Sequence, residues 1–135
     1  SYNRRYFEDQ LKEQRMDAGI AMIDLDDFKL YNDIYGHDMG DQVLCIVADV
    51  IKNCIRKTDK LIRYGGDEFV IVYKGNDVED LCQRIHDSIQ KLPFPFDLDV
   101  SIGCALYHKD IHKWSDWFIE ADKRLYNEKR NLKGQ

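Results

Sequence analysis

Apolar positions recur along this chain with two periods, and the switches between them divide it into elements. Tyr6, Phe7 and Leu11 fall at helical spacing in a polar stretch, which predicts a helix over residues 2–16 ended by Asp17-Ala18-Gly19. Ile20-Ala21-Met22-Ile23 is a continuous apolar run, too short for a helix and the right length for a buried central strand. Phe28 to Tyr35 reads as a short helix stopped by Gly36. A longer helix starts at Met39-Gly40-Asp41. Its apolar stripe is Val43, Leu44, Val47, Val50, Ile51 and Cys54, while Asp49, Lys52, Asn53 and Arg56 face out. Two β-branched and aromatic runs, 60–64 and 69–73, flank Gly65-Gly66, which is a hairpin signal. Asp77 N-caps a helix carrying Val78, Leu81, Cys82, Ile85 and Ile89, broken by Pro93 and Pro95. Residues 99–107 form a further strand. Ser115 caps a last helix with Trp117, Phe118, Ala121 and Leu125 on one face.

Helix, strand, helix pair, hairpin, helix, strand, helix is the order of an α+β domain of ferredoxin-like type, an antiparallel sheet packed with helices. Such a sheet leaves one rim for function. Two acidic groups interrupt the apolar pattern where that rim would lie. Asp24-Leu25-Asp26-Asp27 follows the buried strand directly, and carboxylates there are costly unless paired or bound to a cation. A helix cap accounts for Asp26 or Asp27, but not for Asp24. Asp67 and Glu68 follow the two glycines, which tolerate positive φ and let a ligand approach the backbone. Negative charge at a bare turn suits a cation and, through it, a polyphosphate. A solvated Gly-Asp turn is the ordinary alternative. Asp24 and Asp67 meet on the rim if their two elements are neighbours.

The 135 residues make one domain with room for a core, and 44% hydrophobic with 33% charged residues is an ordinary globular balance. A net charge of −5 argues against a sequence-independent nucleic-acid binder, so an acidic domain that handles nucleotides needs metal ions to offset phosphate. Cys45, Cys54, Cys82 and Cys104 lie in apolar patterns with no Cys-x-x-Cys spacing. They read as reduced and buried, in a cytoplasmic compartment. His108 and His112 have a zinc-site spacing but no cysteine pair beside them. No apolar run approaches the ~20 residues of a membrane span. The charged opening at Ser1 reads as a domain excised from a larger sensor protein, which can carry its own anchor.

Four segments, in order, resemble one family. They are Asp24-Leu25-Asp26-Asp27-Phe28-Lys29 continuing to Gly40-Asp41; Arg63-Tyr64-Gly65-Gly66-Asp67-Glu68-Phe69; Val100-Ser101-Ile102-Gly103; and Ala121-Asp122-Lys123-Arg124-Leu125-Tyr126 continuing to Lys129. The chain, 1–135, is similar to the GGDEF domain of diguanylate cyclases. The resemblance implies a palm-like α+β domain, as in the nucleotidyl cyclases, that condenses two GTP into cyclic di-GMP and two pyrophosphates. It implies two Mg²⁺ ions per site, with Mn²⁺ as the alternative, activating the attacking hydroxyl and neutralising the leaving group. By the match, Asp24, the carbonyl of Leu25 and Asp67 hold metal, and Glu68 supports the second ion. Asp67 accepts the 3′-hydroxyl proton, directly or through the metal. Lys29 stabilises transition-state charge, where it would otherwise be a solvated helix lysine. Backbone amides at Phe28 and Lys29 hold phosphates.

By the same match, Lys129 corresponds to a phosphate-binding lysine on the last helix. Lys133 stands where the family has an arginine, giving charge without the bidentate fork. Asn32 and Asp41 read guanine, Asp41 being otherwise a helix cap. Arg56-Lys57-Thr58-Asp59 resembles the family's Arg-x-x-Asp site, where product binds and inhibits; Arg56 near a helix C-terminus also suits the dipole. The Asp-x-Leu-Thr-x-Leu segment that precedes Asn-Arg-Arg in the family is missing. Catalysis implies a homodimer in which each domain presents one GTP. The alternative is a non-catalytic receptor for GTP or cyclic di-GMP, and the intact Asp67 and Glu68 favour the enzyme. Asp41 disfavours a cyclase for another purine.

Overall fold

In a computed structural model that describes residues 18–93, 98–106 and 114–133, the apolar run around Ile20 is the middle of strand β1 (Ala18–Leu25). It pairs antiparallel with β3 (Glu68–Lys74) on one side and β4 (Val100–Leu106) on the other, and β2 (Lys60–Arg63) pairs with β3. The sheet order is β2-β3-β1-β4. Helices α1 (Phe28–Tyr35) and α2 (His37–Cys54) connect β1 to β2, α3 (Val78–Gln90) connects β3 to β4, and α4 (Trp114–Lys133) follows β4. This is the βαββαβ ferredoxin-like arrangement expected from the element order.

Being covered on both faces, β1 is a continuous apolar run rather than an alternating one. Alternate residues still go to opposite layers. Ala21, Ile23 and Leu25 pack with Ile71 and with Val47, Ile51, Leu81 and Ile85 of α2 and α3. Ala18, Ile20 and Met22 pack with Val70, Val72 and Ala105 against Ala121 and Leu125 of α4. On α2 the stripe holds, with Val43, Leu44, Val47 and Ile51 buried and Val50 and Cys54 half-buried. Helix α4 lies directly on β4 at Gly103. A Cβ there would stand 2.2 Å from the Leu125 nitrogen and 2.3 Å from the Ala121 oxygen.

Several local expectations change. Ala18 and Gly19 open β1, paired with Lys74 and Tyr73. Helix α2 starts at His37, and Ser115 lies inside the first turn of α4. Asp77 makes no side-chain cap, its carbonyl instead accepting from Asp80 and Leu81 at 3.1 and 3.3 Å. All four cysteines are free, but Cys45 is exposed, while Cys82 is buried and Cys54 and Cys104 half-buried. The helix expected over 2–16, Pro95, Tyr107, His108 and His112 lie outside the described residues. No helix among the described residues is long and apolar enough to cross a membrane.

Candidate active site

The antiparallel register brings the two acidic groups together. Asp24, next to last in β1, is the cross-strand partner of Glu68 at the start of β3 and of Ser101 on β4. Leu25 N–H donates to the Asp67 carbonyl at 3.2 Å, which ties the hairpin turn to the strand end. Carboxylate oxygens of Asp24, Asp67 and Glu68 all lie within 4.8 Å of one another, and all three residues are half-buried. Three carboxylates this close repel unless a cation sits among them. The donor set is all hard oxygen, which fits Mg²⁺ or Mn²⁺ rather than a soft metal. Leu25 as a whole residue is only 1% exposed, and its side chain belongs to the core packed with α2 and α3.

The hairpin works differently from the expectation of a positive-φ glycine turn. Neither Gly65 nor Gly66 has a left-handed backbone. The Tyr64 and Gly65 N–H groups both donate to the Glu68 carbonyl, at 3.0 and 3.4 Å, and Arg63 Nη2 donates to the Gly66 carbonyl at 2.8 Å. What glycine supplies here is bareness, because nothing lies within 4 Å of a Cβ built on Gly66. Arg63 was not singled out in the sequence, where a strand-end arginine carries no signal of its own.

A cleft of 360 Å³ runs from this turn to α1 and α2, lined by Lys29, Asn32, Asp41, Arg63 and Asp67, with apolar Phe28 and Leu44. Asp24 and Glu68 line an adjoining cavity of 420 Å³ with Asp122, Lys123 and Tyr126 of α4. The carboxylate cluster thus stands between two concavities. Asp27 turns the chain from β1 into α1 with φ 57, a left-handed conformation that costs a non-glycine residue roughly 1 kcal/mol or more. Neither Asp26 nor Asp27 caps α1 as expected: α1 has no side-chain cap, and Asp26 Oδ1 accepts from Ser101 Oγ at 2.7 Å. The Asp26 N–H also donates to the Asp99 carbonyl at 3.0 Å. The segment 24–26 is therefore held from the hairpin side and from the β4 side. Asp26 and Ser101 stand in the recognised motifs, but their pairing needs the fold.

Asn32 has a buried Oδ1 with no hydrogen-bond partner, an arrangement that costs about 1–3 kcal/mol until a donor reaches it. It sits in a niche made by Gly40, where a Cβ would stand 1.8 Å from that oxygen. A glycine inside a helical pattern was the signal available. Gly40→Ala should push Asn32 out of its niche and weaken nucleotide binding by about tenfold, about 1.4 kcal/mol, at unchanged helix content. Titration calorimetry with GTP beside far-ultraviolet circular dichroism checks this.

Arg56 and Asp59 lie together at the other end of the hairpin. Asp59 is buried and takes four hydrogen bonds: from Arg56 N and Nε on Oδ2, at 2.9 and 3.2 Å, and from Lys74 N and Arg56 Nη2 on Oδ1, at 2.9 and 3.4 Å. Arg56 also donates to the Lys74 carbonyl and lies 4.7 Å over the Tyr73 ring. Its side chain remains 56% exposed. Asp59→Ala should strand two backbone N–H groups and cost about 2–4 kcal/mol of stability, read by urea denaturation. Lys129 and Lys133 are both within α4, and their side chains lie outside the described residues.

An antiparallel βαββαβ sheet with clustered carboxylates at one rim, opening on a nucleotide-sized cleft, defines a palm-type domain with a candidate metal and nucleotide site. The family model for the diguanylate cyclase GGDEF domain matches residues 2–135. Over 142 residues the chain is 37% identical to the diguanylate cyclase DgcS of Shewanella oneidensis, covering 94% of this chain and 46% of that protein. It is 31% identical to the probable diguanylate cyclase DgcC of Escherichia coli, covering 96% of this chain and 38% of that protein. This chain therefore spans less than half the length of these curated relatives. Among solved structures, the active GGEEF domain of a diguanylate cyclase from Vibrio cholerae superposes with a TM-score of 0.85 at 32% identity, over 96% of this chain and 91% of that one. The GGDEF domain of DgcB from Caulobacter crescentus, in complex with c-di-GMP, does so with 0.85 at 28%, over 96% and 83%. The chain belongs to the diguanylate cyclase GGDEF domain family.

Proposed function

We propose that this domain condenses two GTP into cyclic di-GMP, with two copies facing each other and each presenting one nucleotide. The observation that carries the reading is the meeting of Asp24, Asp67 and Glu68 within 4.8 Å beside a cleft that also holds Lys29, Asn32 and Asp41. Asp24, the Leu25 carbonyl, Asp67 and Glu68 would hold two Mg²⁺, which when bound supply Lewis-acid activation of the 3′-hydroxyl and neutralise pyrophosphate. Asp67 takes the hydroxyl proton. Lys29 offsets charge growing on the phosphoryl oxygens, and the first amides of α1, at Phe28 and Lys29, hold terminal phosphate. Lys129 and Lys133 extend that phosphate contact from α4.

Asn32 and Asp41 read guanine. Its N1–H and N2–H₂ offer donors that a carboxylate and the unpaired Asn32 oxygen accept, and adenine lacks that pair. The product-binding role of Arg56 and Asp59 takes a narrower form. The exposed guanidinium of Arg56 meets cyclic di-GMP, while Asp59, its oxygens occupied, holds that arginine in place. The compartment is cytoplasmic, where GTP is found.

The test is GTP turnover with Mg²⁺ at several protein concentrations, with product identified by mass. Cyclic di-GMP rising more steeply than linearly with protein supports the facing pair. Tight GTP or cyclic di-GMP binding with no product at any concentration makes the domain a receptor. For base choice, Asp41→Ser should lower the preference for GTP over ATP by about 10–100-fold, since hydrogen bonds to a charged carboxylate are worth about 1.5–3 kcal/mol. Unchanged selectivity would remove Asp41 from the guanine site.

A further inference from the structure

One carboxylate oxygen beside the entry to β4 gathers donors from two elements. Oδ1 of Asp99, the residue before β4, accepts from the Val100 backbone N–H at 2.9 Å and from Gln90 Nε2 at 3.1 Å. His86 Nε2 stands 3.4 Å from the same oxygen. His86 and Gln90 lie one helical turn apart at the end of α3, so both reach Asp99 from one helix face. An aspartate at a strand start is ordinarily a solvated residue, and the Asp99 side chain is 40% exposed. Solvation alone does not explain why side chains of α3 converge on it.

The backbone of Asp99 reaches the strand that carries Asp24. Its carbonyl accepts the Asp26 N–H at 3.0 Å. That N–H belongs to the same peptide unit as the Leu25 carbonyl, and in a planar trans peptide the two point in opposite directions. Fixing the N–H toward β4 therefore aims the Leu25 carbonyl away from β4. It points to the hairpin side, where the Leu25 N–H meets the Asp67 carbonyl. A hydrogen-bonded N–H also polarises its own peptide, which makes the carbonyl oxygen a better ligand for a cation. Ser101, 0% exposed, adds a second hold by donating Oγ to Asp26 Oδ1 at 2.7 Å.

We infer that Asp99 is a positioning residue of the metal site: tied to α3 through Gln90 and His86, it sets the orientation of the Leu25 carbonyl. The inference rests on the metal reading proposed above, in which that carbonyl is a ligand beside Asp24 and Asp67. Asp99 acts only through the Leu25–Asp26 peptide. Without its side chain the start of β4 is released from α3, and the Asp99 carbonyl no longer holds the Asp26 N–H in one direction. Affinity for a divalent ion then falls, as it does when any group that orients a ligand is lost.

The experiment titrates the metal-free full chain with Mn²⁺ alone, reading the melting temperature, and follows hydrogen exchange at the Asp26 amide by nuclear magnetic resonance without metal. Asp99→Ala should raise the Mn²⁺ concentration for half of the stabilisation by about tenfold. It should also speed exchange at Asp26, with the metal-free melt close to that of the parent. Asp99→Asn, which keeps Oδ1 as an acceptor, should restore both readouts. The His86→Ala/Gln90→Ala double variant leaves Asp99 in place and should move both in the direction of Asp99→Ala. A merely structural Asp99 would lower the metal-free melt at an unchanged Mn²⁺ midpoint, and that result overturns the inference. So does unchanged exchange at Asp26, or an asparagine no better than alanine. A parent chain that Mn²⁺ does not stabilise would overturn the metal reading and this inference with it. A stabilised parent with an unshifted Asp99→Ala midpoint overturns the inference alone.

Discussion

Asp67→Ala should lower Mg²⁺-dependent cyclic di-GMP formation by about a thousandfold while the domain stays folded. Asp67 is the one member of the carboxylate cluster that also lines the cleft of Lys29, Asn32 and Asp41. Metal-assisted charge stabilisation is worth several kcal/mol, and losing about 4 kcal/mol of it is roughly three powers of ten in rate. The fold should survive because the residue's structural contact, Leu25 N–H to the Asp67 carbonyl, uses backbone that alanine keeps. Removing one of three mutually repelling carboxylates should also leave the melting temperature in EDTA equal to or above that of the parent. Mg²⁺ should stabilise the parent more than the variant, because only an ion that binds the folded state shifts the midpoint. Product mass and paired melts, with and without Mg²⁺, read both halves. Retained turnover would take Asp67 out of the chemistry, and a collapsed melt would make it a structural residue.

Gly103→Ala should have the largest effect on stability of any single methyl added to this chain's described core. Its Cβ would collide with α4 backbone, at 2.2 Å from the Leu125 nitrogen and 2.3 Å from the Ala121 oxygen. Backbone cannot rotate aside as a side chain can, so α4 must lift from β4. That lift opens the layer in which Ala121 and Leu125 cover Ile20, Met22 and Val70. Overpacking of this kind costs about 3 kcal/mol, which for a domain of this size lowers the melting temperature by roughly 10 °C. The same lift widens the cavity between Asp24 and Lys123. A melt within about 2 °C of the parent would show that α4 has slack the structure does not suggest.

Most elements were readable without the fold because their signals are local. The stripe from Val43 to Ile51 has helical period whatever it packs against, and α1 runs from Phe28 to Tyr35 where its pattern placed it. Gly19 carried no strand signal of its own, yet it lies in the central strand, paired with Tyr73 and Leu106. Asp59 was read by its motif as a product contact. Its four hydrogen bonds to Arg56 and Lys74 give it a structural task that no spacing of residues announces.

The sequence by itself determined the two acidic groups, the glycines that keep one of them bare, the continuous apolar run of the buried central strand, and the family to which these belong. Tertiary structure alone decided that Asp24 stands opposite Glu68 and Ser101, and that Asn32 has a niche because residue 40 lacks a side chain. The reason is the range of the forces. Periodicity and turn chemistry act over a few neighbouring residues and leave a trace in the chain. Register between strands, and the distance of closest approach between a helix and a sheet, are set by how all the side chains pack at once.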